Sequence, residues 1–216
     1  MTDYRDFTPD ELGQPATYHL LNAVIAPRPI AWVSTVSASG TFNLAPHSYT
    51  TVVSQDPPIV SFVSIGRKDS VENIEATGCF VYNIGSRAMV ERINRTSADF
   101  PPDISEFEWA GLTPIPGTRI AAPRVKEAPV QMETTLVEIH RVADTRNFIV
   151  MGEVVALHIA ERLFDGDRVE TARLDPVGRM AGSLYAAMGE VFSLKRPTYR
   201  GLLEAGESPM EPSGGR

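Results

Sequence analysis

The chain has 216 residues, 43% of them hydrophobic and 22% charged, and a formal net charge of −7. A chain of this length buries roughly 70–75% of its unfolded surface, enough for one sizeable core, and its composition is that of an ordinary globular domain. The acidic balance, with no basic stripe above it, excludes nucleic acid as a partner, because a polyanion meets repulsion over most of the surface.

No stretch approaches the roughly 18 apolar residues of a membrane span, and residues 1–7 lack the basic start and apolar run of a secretory signal. The expectation is a cytoplasmic protein with no membrane partner. Cys79 is the only cysteine, which excludes an intrachain disulfide and a multi-cysteine metal site. Lying in an apolar run, it reads as a buried, inert thiol.

Residues 1–17 and 201–216, rich in Gly, Pro, Ser and acids, read as an N-terminal arm and a flexible C-terminal tail around one domain over 18–200. Within that domain the chain predicts strands over 29–37, 48–54, 59–65, 79–84, 130–140 and 148–159. The run Ile59 to Ile65 is apolar or small throughout, as where both faces are covered, whereas Val130 to Leu136 alternates as if one face were wet. Few regular crossovers separate these strands, which suggests a mainly β fold with short helices, an antiparallel barrel. One helix starts at Asp69, read as N-cap with Glu72 behind it, and stops at Gly78; a second follows Ser86 over 87–95, its Met89, Val90 and Ile93 forming a core stripe. Asp56-Pro57-Pro58 marks a strand boundary, since proline cannot sit inside a central ladder.

Two segments carry candidate chemistry. Asn43 to Thr51 gathers small and hydroxylated residues around Pro46, either a binding surface of backbone groups and hydroxyls or an Asn-initiated turn before a Thr-rich edge strand. Arg67-Lys68-Asp69-Ser70 sets two cations and a hydroxyl at a helix start, either a phosphate seat or a solvated basic pair before a self-capped helix. The four histidines, His19, His47, His140 and His158, never fall at a spacing that puts two on one metal. Neither a Gly-rich dinucleotide fingerprint nor Gly-x-Ser-x-Gly is present.

Three motifs in order, Pro27-Arg28-Pro29-Ile30-Ala31-Trp32-Val33-Ser34-Thr35, Asn43-Leu44-Ala45-Pro46-His47-Ser48 and Val53-Ser54-Gln55-Asp56-Pro57-Pro58, resemble the N-terminal half of the flavin reductase-like family. The likeness runs on through Lys68 to Ile74, Ser105 to Thr113, and Leu174 to Arg179 with Gly182 and Tyr185. It implies a split β-barrel that holds FMN at a homodimer interface, with NADH or NADPH as electron donor and free flavin, a metal complex or a protein as acceptor. By the same resemblance Asn43, Leu44, Ala45 and Pro46 border the isoalloxazine, Ser48 and Thr50 bond the ribityl–phosphate region, and Lys68 and Ser70 hold the phosphate. Thr35 and Arg67 belong to the same cofactor-binding set, and Arg179 and Tyr185 lie near the open face of the flavin, from the same subunit or the other. No side chain is implied as catalytic acid, base or nucleophile.

One departure separates the chain from the branch with a late Gly-Asp-His signature, for here the strand reads Met151-Gly152-Glu153-Val154-Val155-Ala156-Leu157-His158. That brings the chain nearer the flavoredoxin-like branch, and His158 itself reads as a strand residue satisfying a local hydrogen bond. Two rivals stand beside the reductase reading: a non-enzymatic FMN carrier reduced by a partner protein, and a flavin-free barrel that binds small molecules.

Overall fold

The computed structural model describes residues 3–210. Its centre is one antiparallel sheet built from β1 (Ala31–Val36), β2 (Phe42–His47), β3 (Thr50–Gln55), β4 (Pro58–Ile65) and β5 (Cys79–Ile84). The sheet is completed by the two long strands β8 (Val130–Arg141) and β9 (Asn147–Ile159). The order across it is β2-β1-β5-β8-β9-β4-β3, which puts β2 and β3 at opposite ends. Yet only Ser48 and Tyr49 join them. Three peptide units reach at most about 11 Å, so the two end strands must meet and the sheet must curl into a barrel. Tyr49 O accepts from Val63 N at 2.8 Å, carrying the β3–β4 pairing into this short link.

The mainly β, antiparallel architecture with short helices agrees with the sequence reading, as do the boundaries of β5 and the turn at Asp56 and Pro57. β1 is buried along its whole length because both its faces are covered. Ala31 and Val33 join Phe62, Phe80 and Val150 in one cluster, into which α2 (Asp69–Thr77) inserts Val71 and Ile74. Trp32 faces a second cluster, where it meets α3 (Val90–Arg95) and α4 (Glu106–Trp109) through Ile93 and Phe107. Met89, in the 3-10 turn before α3, lies in that cluster too, so the stripe after Ser86 is core, and Cys79 is a buried free thiol. Trp32 Nε1 donates to Thr96 Oγ1 at 2.9 Å, tying β1 to the end of α3.

Smaller ladders complete this region. β6 (Pro114–Ile115) pairs with β7 (Arg124–Val125), β10 (Phe164–Asp165) with β11 (Arg168–Val169), and, beyond α5 (Thr171–Leu174), β12 (Val177–Arg179) with β13 (Tyr185–Ala187). The chain divides into two compact units, Asn22–Met188 being one and the residues up to Leu21 with those from Gly189 onward the other. Helix occupies two places where composition predicts an arm and a tail: α1 (Pro9–Val24) and α6 (Tyr199–Glu204). The departure from helical geometry at Gly13 and the internal Pro15 interrupt α1, which is why no sustained periodicity shows there. Residues 211–216 of the expected tail lie outside the described residues. Among the described residues no helix is long and apolar enough to cross a membrane.

Three local expectations are corrected. β2 is a strand rather than a turn, since its hairpin with β1 closes over Gly40 in the left-handed region at φ 91°. Lys68, not Asp69, is the N-cap of α2, and no side chain caps that end. The start of β8 has no wet face: Gln131 and Glu133 are buried, satisfied by hydrogen bonds instead of water.

Gly152 in β9 shows how closely the barrel packs. A Cβ there would lie 2.5 Å from Phe80 Cε1 and 3.0 Å from Thr134 Cβ. Phe80 cannot retreat, because it is fully buried edge-on against Phe62 at a centroid distance of 5.5 Å. Gly152→Ala is therefore expected to cost about 1–3 kcal/mol through overpacking, read as a lowered urea midpoint with an unchanged slope.

Candidate functional site

The seam between β2 and β3 gathers most of the residues singled out from sequence. β2 is an end strand, and its register with β1 turns the backbone of Leu44 outward, where Leu44 N donates to Glu106 Oε2 at 2.9 Å. Pro46, two residues on, falls on the same outward edge and has no N–H to offer. The side chain of Asn43 meets the same carboxylate and enters a buried polar network. Its Nδ2 donates to Glu106 Oε1 at 2.8 Å, and its Oδ1 accepts from Ser70 Oγ at 3.1 Å and from Thr35 Oγ1 at 3.4 Å. Thr35 Oγ1 in turn accepts from Asn73 Nδ2 at 3.0 Å. Thr35, Asn43 and Ser70 thus lie together and buried, their side chains engaged with one another.

At the start of α2 the cations separate. Arg67 is held by Glu75 and, at 3.6 Å, by Glu72, so its guanidinium is paired with carboxylates of the helix that follows it, α2. Among the described residues Lys68 Nζ forms an ion pair with Asp99 Oδ1, at 2.8 Å, exposed on both sides. Such a pair holds weakly in water and yields readily to a stronger anion. Burial, then the neighbouring Glu72, raises the pKa of Asp69 against the pull of Lys68. Thr50 Oγ1 donates to Ser61 O at 2.5 Å and lies 2.9 Å from Tyr82 Oη, which fixes β3 on β4. The Ser48 hydroxyl has no partner among the described residues.

Beside the seam, His47 stacks on Phe62 at 4.4 Å, and its Nε2 is buried without a partner among the described residues. Burial pushes the imidazole down to about 4, outweighing the Val63 backbone group that favours its charged form. Arg28, also buried, donates to Asn22 O at 2.8 Å, to Ile25 O at 2.9 Å and to Met180 O at 3.0 Å, with its guanidinium carbon 5.7 Å from the centre of the Tyr49 ring. It caps the end of α1 while its backbone bridges Arg179. Arg179 lies opposite Tyr185 in the β12–β13 ladder, 4.6 Å from its ring centre, and Tyr185 Oη donates to Asn94 Oδ1 at 3.0 Å.

A separate constellation surrounds Glu133. Desolvation would raise this carboxyl, but hydrogen bonds from the backbone N–H groups of Thr118 and Arg119, the Thr118 hydroxyl and His158 carry it down to about 2. His158 Nε2 stands 2.8 Å from Glu133 Oε1, the local hydrogen bond expected of it. The same bonds pin the loop over 114–123, which with Phe42 walls an apolar pocket of about 360 Å³. Among the described residues no group of His, Cys, Asp and Glu could hold a metal ion.

Comparison with known proteins bears on this geometry. The profile of the Flavin reductase like domain matches residues 24–173. The chain belongs to the flavin reductase-like family. Within reach of that family, the uncharacterized protein YwrF of Bacillus subtilis is 38% identical over 204 residues, 89% of this chain and 98% of that protein. Nitrilotriacetate monooxygenase component B from Bacillus cereus superposes with a TM-score of 0.85 at 37% identity, over 90% of this chain and 100% of its own. The 2-nitrobenzoate 2-nitroreductase NbaA of Pseudomonas fluorescens does so with a TM-score of 0.83 at 29% identity, over 97% and 100%. The fold is the split barrel of that flavin reductase-like family.

Sequence reasoning missed Glu106, Arg28 and Glu133. The first two sit inside motifs that carry the family resemblance, but nothing in their spacing shows that one faces a strand edge and the other a helix end. Because the unfolded imidazole titrates near 6.5 and the folded His47 near 4, the unfolded chain binds the extra proton between those values. Stability is therefore expected to fall as pH drops from 6.5 to 4, and His47→Leu should flatten that part of the decline in denaturant midpoints.

Proposed function

We propose that this chain is an FMN-binding oxidoreductase that passes electrons from NADH or NADPH to flavin and on to an acceptor, working as a cytoplasmic homodimer with residues 18–200 as its domain. The observation that carries the reading is the 3.1 Å hydrogen bond from Ser70 to Asn43. It sets the outward edge of β2, a surface of backbone groups suited to a flat heterocycle, beside an uncapped helix start with Lys68 on it. A flat ring system joined to a phosphate is the ligand shape that such a pairing suits.

The residues then divide by role. The backbone of Asn43, Leu44, Ala45 and Pro46 borders the ring, Ser48 offers a free hydroxyl, and Lys68 exchanges Asp99 for the phosphate. Thr35, Thr50 and Ser70 hold the frame through the bonds their side chains already make, and Arg67 adds positive potential while paired with α2. Arg179 and Tyr185, stacked on one another, cover the open face from the partner protomer. Bound FMN would supply the two-electron chemistry, and the protein's part is position and electrostatics.

A second reading, an FMN carrier reduced by a protein, is favoured by one observation: His158 of the late strand is tied to buried Glu133 rather than free to meet a nicotinamide. Spectra of the purified protein before and after anaerobic NADH or NADPH separate the readings. Bleaching of a yellow protein supports the reductase, a yellow protein inert to both donors supports the carrier, and a colourless protein that takes up no FMN sinks both. Lys68→Met should weaken FMN about tenfold or more while leaving riboflavin nearly unchanged, since it removes one charge-assisted hydrogen bond to the phosphate. Parallel titrations of the two flavins check this.

A further inference from the structure

Glu106 opens α4 and is 4% exposed, yet among the described residues no cation pairs with it. A buried carboxylate without a counter-ion is held only by the hydrogen bonds it accepts. Beside the one from its own backbone N–H, they come from adjacent residues of one strand: Asn43 Nδ2 at 2.8 Å and Leu44 N at 2.9 Å. Burial raises its pKa, and the neighbouring Asp69 adds to this, while its own backbone N–H and the bonds from Leu44 and Asn43 draw it back. A carboxylate accepts and does not donate, so it forces the amide of Asn43 to present Nδ2 to it and Oδ1 to the opposite side. On that opposite side stand the hydroxyls of Ser70, in the first turn of α2, and Thr35, on β1.

We propose that Glu106 is a positioning residue for the flavin site: it fixes the orientation of Asn43 and through that amide locks the ring-bordering strand to the phosphate-facing start of α2. The inference rests on the FMN reading above. It assigns to a residue that need not touch the cofactor the distance between the two halves of the cofactor's seat.

The polarity of the network supplies its own test. Glu106→Gln can still accept from Leu44 N, but its amide nitrogen then faces Asn43 Nδ2, donor against donor. Asn43→Asp alone sets two carboxylates face to face. Combined, the two substitutions restore every bond and reverse only the one between positions 43 and 106, because Asp accepts from the new amide on one side and, as Asn43 Oδ1 does, from Ser70 and Thr35 on the other, with one buried carboxylate as before. FMN titration by fluorescence quenching, with the absorption spectrum of the bound flavin and a circular dichroism melt of each variant, reads the outcome. Each single substitution is expected to weaken FMN at least tenfold, and the pair to return it to within about threefold of the parent with the parental spectrum.

Parental affinity in Glu106→Gln overturns the proposal, as does a double variant that recovers the parental melt but not FMN binding. Should neither single variant fold, the double variant decides alone: parental FMN binding supports the proposal, and a failure to fold or to bind overturns it. A parent protein that takes up no FMN overturns the underlying reading, and this proposal with it, which separates that failure from the others.

Discussion

The shortness of the link between β2 and β3 is the constraint on which the rest of the molecule depends. Strands at opposite ends of a seven-stranded order are joined by Ser48 and Tyr49 alone, so the sheet can neither lie open nor twist freely. Closing it shelters Phe62, Phe80 and Val150 inside, and the same closure brings His47, Thr50 and the edge of β2 to one place. Tyr49, in the link, is also the ring over which Arg28 stacks, so the cation that caps α1 and bridges Arg179 is anchored to the seam as well. Loops gain function when a rigid scaffold positions them; here the scaffold's own point of closure supplies the position.

Two buried carboxylates organise what surrounds this closure, and their contrast is instructive. Glu133 collects two backbone N–H groups, a hydroxyl and an imidazole, and those donors more than offset its loss of water, so it stays charged into strong acid. Glu106 has one backbone N–H and one side-chain amide from β2, and its proton affinity rises. Four directed donors outweigh burial at Glu133, whereas burial and the neighbouring Asp69 prevail at Glu106. The better satisfied of the two fastens a loop; the less satisfied lies against the candidate site.

Much of the fold was legible because hydrophobic patterning reports burial. The run Ile59 to Ile65 is apolar or small, and in β4 the successive residues Val60, Ser61 and Phe62 are buried, so both faces are covered there. The helix stop at Gly78 followed from its backbone freedom, and it adopts φ 69°. β2 escaped because Asn43 and Pro46 look like turn residues, and the proline is tolerated only because β2 is an end strand. Val130 to Leu136 misled for the opposite reason: Gln131 and Glu133 are polar but buried, and alternation cannot tell a residue facing water from one facing a loop that donates to it. At the site, Asn43 and Ser70 were picked out by type, but their hydrogen bond to each other spans 27 positions of sequence and carries no local signal. Lys68 and Arg67, adjacent and alike in charge, could not be told apart until the carboxylates of α2 were seen to claim one of them.

Strands at the end of a sheet are natural templates for unwanted pairing, since their free N–H and C=O groups invite another chain to add on. On β2 the inviting half of that code is missing at two successive outward positions. Glu106 occupies the donor of Leu44, and Pro46 has none. A stray strand approaching this edge finds no free donor at Leu44 or Pro46, and a continuous ladder cannot run past them. The edge is thereby protected against polymerisation at the very strand that closes the barrel.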